Sequence, residues 1–180
     1  MNGKRFVGAA ELTRDSFLLA KHIFDSGWLP HLLVALWRGG SPIGIAVHEF
    51  LLYKGVRTEH AVITCGAYSG IGVRGELQIK GLEPVVAGVV PGQRVLLVDD
   101  IFDSGLTADA LVGQLATAGA DVRVATLFWK PSHNRTSRRP DYHLHVTSEW
   151  VVFPHELEGL SPEDIRRKDP ALHQILFEHA

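Results

Sequence analysis

The sequence has little cysteine, little net charge and no long apolar segment, and each of these absences excludes a class of protein. Cys65 is the single cysteine among 180 residues, so we expect neither an internal disulfide nor a multi-cysteine zinc site. The net charge of −2 argues against the basic surface that nucleic-acid binding requires. No apolar run approaches the roughly 20 residues of a membrane span, and residues 1–10 lack the apolar centre of a secretory signal. We therefore expect a cytoplasmic protein without nucleic-acid or membrane partners.

Length and composition indicate one globular domain. Apolar residues make up 46% of the chain and charged residues 21%, close to the averages for globular proteins. A chain of this length buries roughly 70% of its unfolded surface, which is enough for a core. We expect a single domain over residues 1–180, with a core at about 10–130 and a C-terminal hood at about 131–180, where the sequence becomes polar and basic.

Helical and strand-like patterns alternate along the core. Apolar residues at helical spacing predict helices at residues 11–25, 43–53 and 106–118. We expect Ser41 to cap the second of these helices. Short apolar runs predict buried strands at residues 31–36, 61–65, 94–98 and 121–129. This alternation predicts an α/β fold in which helices flank a parallel, twisted sheet.

The C-terminal third and one internal segment depart from this alternation. Residues 142–146 and 150–153 are strand-like, and Ser161 and Pro162 are typical of the start of a final helix. Residues 66–75 contain four glycines and are predicted to form a mobile surface loop.

The segment from Val95 to Thr107 carries the clearest chemical signal. An apolar strand is followed by Asp99 and Asp100, and then by Asp103 and a turn that enters a helix. Ligands of parallel α/β sheets bind beyond the carboxyl ends of the strands, and the amides and dipole at a helix N-terminus suit a phosphate. Carboxylates beside that phosphate suit sugar hydroxyls or a divalent cation. The pattern therefore favours a phosphorylated sugar, although acids that merely cap the helix are the alternative.

A second anion site is predicted where the first buried strand ends. Gly39 and Gly40 permit a close approach of the backbone to a ligand, and Arg38 adds a positive charge. The helix that follows adds the positive end of its dipole. A simple turn is the alternative explanation for the two glycines.

The segment 95–107 resembles the phosphoribosyl-pyrophosphate motif of the type I phosphoribosyltransferases, in which four apolar residues, two acids and two apolar residues precede Asp-Ser/Thr-Gly-x-Thr. All thirteen positions fit. Arg38–Gly40 resembles the pyrophosphate loop of the same family. The resemblance implies that phosphoribosyl pyrophosphate is bound by Arg38, Gly39, Gly40, Asp99, Asp100, Asp103, Ser104, Gly105, Leu106 and Thr107. It further implies that Asp103 is the general base or acid, and that Mg²⁺ is a cofactor near Asp99 and Asp100, held directly or indirectly.

Within this family, the chain is most similar to the 6-oxopurine enzymes, which use hypoxanthine, xanthine or guanine. Lys130 at the end of a strand resembles the lysine that binds the 6-oxo group, and Trp150 and Val151 resemble the residues that stack on the base and reach its edge. Glu156 lies where an acid near the pyrophosphate, the metal or an exocyclic group is common. A surface role for Lys130 and a core role for Trp150 are the alternatives.

The resemblance implies an enzyme of purine salvage that joins a 6-oxopurine to the phosphoribosyl group and releases pyrophosphate. It implies a homo-oligomer, either a dimer or a tetramer. Tyr68, Ser69 and Arg74 would belong to the loop that closes over the reaction, although the family usually has the order Ser-Tyr. Two other functions stay open. The chain could transfer the phosphoribosyl group to adenine or a pyrimidine, or it could be a regulator that binds the sugar phosphate without turnover.

Overall fold

The computed structural model describes residues 3–67 and 77–177, over which it contains eight strands and six helices. The strands are β1 (Lys4–Phe6), β2 (Leu32–Trp37), β3 (Glu59–Ala67), β4 (Leu77–Lys80), β5 (Arg94–Phe102), β6 (Asp121–Trp129), β7 (Tyr142–Val146) and β8 (Trp150–Val152). The helices are α1 (Ala9–Asp25), α2 (Gly40–Tyr53), α3 (Leu82–Gly88), α4 (Leu106–Thr117), α5 (Pro162–Lys168) and α6 (Pro170–Phe177).

The chain divides into two units, Thr13–Ser148 and the combination of Met1–Leu12 with Glu149–Ala180. The larger unit contains a six-stranded sheet in the order β4-β3-β2-β5-β6-β7. Its strands pair in parallel except β4, which runs antiparallel to β3 at one edge. The predicted α/β class is therefore confirmed, with a mostly parallel sheet.

Helices cover both faces of this sheet. Successive residues of a strand point to opposite sides, so each buried strand packs its side chains against helices on both faces. On one face, Val95 and Leu97 of β5 share a core cluster with Leu111 and Leu115 of α4. On the other face, α2 packs on β2 and β5, and Gly44 lies directly against Ala35. Burial on both faces explains why these strands are continuous apolar runs in the sequence.

Two local predictions for the core were wrong. The strand predicted at 94–98 continues to Phe102, because pairing with β6 extends through Asp99 opposite Thr126 and Phe102 opposite Trp129. Ser41 does not cap α2, because the helix already begins at Gly40 and its N-cap is Gly39. The Ser41 hydroxyl is instead buried, with no hydrogen-bond partner among the described residues.

The smaller unit contains its own two-stranded sheet, in which β1 pairs in parallel with β8. The amide of Val7 continues this pairing by donating to the carbonyl of Val152 over 2.9 Å. Helix α5 begins as the sequence predicts, since the Ser161 hydroxyl accepts from the Asp164 amide and Pro162 is the first helical residue.

The boundary between the units differs from the predicted start of the hood at about residue 131. Strand β7 pairs with β6 at the edge of the main sheet, so residues 131–148 belong to the larger unit. That the whole chain acts as a single domain stays a prediction. Each helix within residues 3–67 and 77–177 is too short or too polar to cross a bilayer.

Candidate active site

The turn between β5 and α4 requires glycine at position 105. Gly105 has a φ of +77°, a left-handed conformation that side chains disfavour. A β-carbon at this position would lie 2.7 Å from Asn134 Oδ1 and 2.8 Å from Thr136 Oγ1. The chain can therefore turn directly from the strand into the helix, which places the amides at the start of α4 beside Asp103 and Ser104.

The predicted sugar-phosphate motif surrounds one small cavity. The cavity has a volume of about 100 Å³. Its polar lining consists of Asp99, Asp103, Ser104, Gly105, Thr107 and Thr126. The structure therefore brings together most of the motif at the carboxyl end of β5 and the start of α4, which is where a phosphate and a polyol are expected in this fold.

A second, wider cavity of about 720 Å³ lies beyond Asp103 and Ser104. It is completed by residues 132–135, which the sequence did not assign to the site. Hydrogen bonds hold this segment along the turn, because the amide of Lys130 donates to the carbonyl of Phe102 over 2.9 Å and that of Arg135 donates to Ser104 over 2.9 Å. The turn and the segment thus form one rigid border of the site.

Asp103 lies at the centre of a charged cluster. Lys130 Nζ is 3.2 Å from Asp103 Oδ2, and His133 Nδ1 is 2.9 Å from Asp103 Oδ1. The Lys130 side chain is 6% exposed, whereas those of Asp103 and His133 are each 46% exposed. The alternative of a surface role for Lys130 was therefore wrong, since a buried ammonium needs a charged partner and has one in Asp103.

Sequence reasoning missed His133. Its only signal in the sequence is that it follows Lys130 by three residues within a polar turn. Contact with Asp103 depends on how residues 130–135 fold back along the turn that precedes α4. The spacing of 30 residues between the two side chains does not indicate that contact.

Asp99 and Asp100 differ in their surroundings. Burial, followed by repulsion from the Asp100 carboxylate, raises the pKa of Asp99 well above its usual range. Asp99 lines the small cavity, while Asp100 lies against the backbone of Gly39 and is not part of that lining. Burial, followed by the Asp99 carboxylate, also raises the pKa of the Cys65 thiol to about 11, so this thiol stays protonated at neutral pH.

Both glycines of the predicted anion loop are required by close packing. A β-carbon on Gly39 would lie 1.9 Å from Asp100 Oδ2, and one on Gly40 would lie 2.1 Å from the carbonyl oxygen of Val98. The Trp37–Arg38 peptide bond is cis, and the Arg38 side chain is exposed. The loop between β2 and α2 therefore packs directly against the acidic end of β5.

The acidic residues suit a magnesium ion only in partnership with a substrate. Within residues 3–67 and 77–177, no three His, Cys, Asp or Glu side chains cluster as a metal site. Mg²⁺ generally keeps several waters and binds through one or two carboxylates together with substrate phosphates. Asp99 and Asp100 have the oxygen donors for that arrangement.

The residues predicted to bind the purine outside the larger unit lie around β8. Trp150 is 63% exposed, so the alternative of a core role for its ring was wrong, whereas Val151 is buried. The Glu156 carboxylate accepts a hydrogen bond of 3.0 Å from the amide of Phe153, which stabilises the turn after β8. Tyr68, Ser69 and Arg74, predicted for the closing loop, lie outside the described residues.

Comparisons with known proteins agree with this fold. The family described as phosphoribosyl transferase domain matches residues 11–161. The chain is 30% identical over 122 residues to a hypoxanthine-guanine phosphoribosyltransferase of Lactococcus lactis subsp. lactis (strain IL1403), a match that covers 67% of this chain and 64% of that protein.

Solved structures share the fold. A purine phosphoribosyltransferase from Pyrococcus horikoshii Ot3 is 25% identical with a TM-score of 0.70, and the match covers 89% of this chain and 99% of that one. A Helicobacter pylori xanthine-guanine-hypoxanthine phosphoribosyltransferase is 23% identical with a TM-score of 0.63, covering 85% and 92% of the two chains. At this identity the second comparison supports the fold alone.

Proposed function

The chain belongs to the phosphoribosyl transferase family, and from that membership we propose that it transfers the phosphoribosyl group of phosphoribosyl pyrophosphate to a 6-oxopurine. The observation that carries the choice of base is the buried Lys130 ammonium, 3.2 Å from Asp103 at the border of the cavity. The two side chains offer a hydrogen-bond donor and a proton acceptor side by side. A 6-oxopurine presents the matching pair, a carbonyl oxygen beside a ring nitrogen.

The sugar phosphate is held by the turn between β5 and α4. The 5′-phosphate accepts hydrogen bonds from the first amides of α4 and from Ser104 and Thr107, where the helix dipole also favours negative charge. Asp99 accepts hydrogen bonds from the ribose hydroxyls, while the Asp100 carboxylate lies against Gly39 of the anion loop. Arg38 and the backbone of Gly39 and Gly40 bind the pyrophosphate.

The reaction breaks the bond between C1′ and the pyrophosphate oxygen, and it forms a bond between C1′ and a ring nitrogen of the base. The electron pair of the broken bond leaves with pyrophosphate, whose growing charge Arg38 stabilises. Mg²⁺, which Asp99 and Asp100 would help to hold, supplies further neutralisation of that charge when bound. When the new bond forms, the purine must lose a ring proton, and Asp103 accepts it at N7 as a general base; in the reverse direction it returns the proton as a general acid.

The base is oriented by Lys130, and the resemblance also assigns Trp150 to the base. The ammonium of Lys130 has three donors, so it can contact Asp103 and a 6-oxo group together. Trp150 presents an apolar face of the kind on which a purine stacks. The resemblance also assigns Val151 and Glu156 to the edge of the purine ring. The homo-oligomer and the cytoplasmic location predicted from the sequence stay predictions.

A turnover assay with phosphoribosyl pyrophosphate, Mg²⁺ and a panel of bases tests this function. Hypoxanthine, guanine or xanthine should react, whereas adenine should react poorly because its 6-amino group offers a donor to a side chain that only donates. An unmatched buried polar contact costs about 1–3 kcal/mol, or about 5- to 150-fold in kcat/KM between the two classes.

Lys130→Ala should remove most of this discrimination, while Lys21→Ala on the exposed face of α1 serves as the matched control. Preference for adenine or orotate, or an unchanged ranking of bases in Lys130→Ala, would contradict the choice of substrate. Binding of phosphoribosyl pyrophosphate without turnover on any base would instead support the regulator.

A further inference from the structure

We propose that His133 is a positioning residue for Asp103. Its imidazole holds one oxygen of the Asp103 carboxylate by a hydrogen bond, while the other oxygen accepts the proton of the purine. This inference rests on the proposed function. Its starting point is that the two oxygens of Asp103 have different partners. Oδ2 faces the Lys130 ammonium at 3.2 Å and Oδ1 faces the His133 imidazole at 2.9 Å.

The backbone fixes His133 in this place. Its amide donates to the carbonyl of Lys130 over 3.1 Å, and Lys130 and Arg135 on either side are bonded to Phe102 and Ser104. The segment that carries His133 is therefore tied to the segment that carries Asp103. Because backbone hydrogen bonds on both sides hold the two residues, the contact differs from a chance meeting of two flexible surface side chains.

Proton exchange with a purine requires a carboxylate of fixed orientation. When the Lys130 ammonium donates to a 6-oxo group, its interaction with Asp103 Oδ2 weakens. Without a second partner, the Asp103 carboxylate could then rotate. The hydrogen bond from His133 Nδ1 to Oδ1 prevents that rotation and leaves Oδ2 directed at the base. The imidazole needs its proton on Nδ1 for this role, which both the Nδ1–H tautomer and the imidazolium provide.

Single-turnover measurements with phosphoribosyl pyrophosphate, Mg²⁺ and hypoxanthine test the proposal, because they isolate transfer from product release. His133→Ala should slow transfer by about 10- to 100-fold, the cost of misplacing a reacting group. The dissociation constant for phosphoribosyl pyrophosphate should stay within about twofold, since the His133 imidazole bonds to Asp103, the group that acts on the purine. His133→Asn retains a donor near the Nδ1 position, so it should recover most of the rate.

His145→Asn is the matched control, because His145 also bonds to an aspartate, Asp15, at 2.7 Å but lies between β7 and α1. It should transfer at the wild-type rate. Asp103→Asn defines the rate without a base. A wild-type transfer rate in His133→Ala, or a rate in His133→Asn as low as that of His133→Ala, overturns this proposal alone. Absence of turnover in the wild type on every base overturns the proposed function as well.

Discussion

At the scale of single residues, the site keeps charges in positions that weaken the fold. Asp99 lies in a partly buried position beside Asp100, and both desolvation and the neighbouring carboxylate disfavour its ionised form. A side chain placed for packing alone would not carry this cost. Its position is explained if sugar hydroxyls or a cation stabilise the carboxylate when substrate binds.

Asp99→Asn should therefore stabilise the free protein at neutral pH. The ordinary pKa of this group is 3.8, and the folded value is raised, so the folded state binds the proton more tightly than the unfolded state. The contribution of protonated Asp99 to the free energy of unfolding is fully present at low pH. It is lost as the pH rises from about 4 through the pKa of Asp99 in the folded protein. Asparagine cannot ionise and avoids that loss.

Urea unfolding at about pH 4 and about pH 8 measures this difference. The free energy of unfolding of Asp99→Asn should exceed that of the wild type at the higher pH and match it more closely at the lower one. Glu49→Gln on the exposed face of α2 is the control and should change little at either pH. A destabilised Asp99→Asn at high pH would contradict the assignment of a strained carboxylate.

At the scale of elements, the start of α4 depends on one glycine and on residues far along the chain. Gly105 turns the backbone with a positive φ, and Asn134 and Thr136 close over it. Arg138 extends this support, because its Nε lies 3.0 Å from Asp109 Oδ1 in the first turn of the helix. The segment after β6 thus shapes the phosphate site that the segment after β5 provides.

Gly105→Ala should disrupt this junction, while Gly113→Ala within the same helix is its matched control. Alanine in the left-handed conformation costs about 1–2 kcal/mol, and the clash with Asn134 and Thr136 adds to it. Gly113 has no atom within 4 Å of the position of a β-carbon, so alanine there should stabilise the helix by about 0.5–1 kcal/mol.

Urea unfolding and calorimetric binding of phosphoribosyl pyrophosphate compare the two glycine variants. Gly105→Ala should lose both stability and affinity, whereas Gly113→Ala should keep its affinity. Equal affinity of Gly105→Ala and the wild type would exclude the turn from the phosphate site.

At the scale of the whole molecule, the sheet places the loops after β2 and β5 side by side, because these strands are parallel neighbours. The anion loop and the sugar-phosphate turn are separated by about sixty residues of sequence, yet Gly39 contacts Asp100. A ligand that binds both loops should therefore stabilise the folded protein as a whole.

Phosphoribosyl pyrophosphate with Mg²⁺ should raise the melting temperature accordingly. At a ligand concentration about 100-fold above Kd, the gain is about 2.7 kcal/mol, which corresponds to about 5–11 °C for a protein of this size. The double variant Asp99→Asn, Asp100→Asn should show a much smaller shift relative to its own melting temperature without ligand. An equal shift in the double variant would contradict the role of these acids in binding.

The sequence by itself determined the alternation of helices and strands, the α/β class and the family, because those features depend on local periodicity and on a motif of contiguous residues. Strand β6 and helix α4 lie within one residue of their predicted bounds. The sequence also grouped Asp99, Asp103, Ser104, Gly105 and Thr107, since residues so close along the chain at a strand end must line one site.

Only the tertiary structure decided what depends on contacts between distant segments. The extension of β5 to Phe102 follows from pairing with β6, and the requirement for glycine at the start of α2 follows from packing against the carbonyl of Val98. The contact of His133 with Asp103 arises because residues 130–135 fold back along the turn before α4. Local sequence patterns do not predict such contacts, because the interaction energy of two distant segments arises only when they meet in the folded chain.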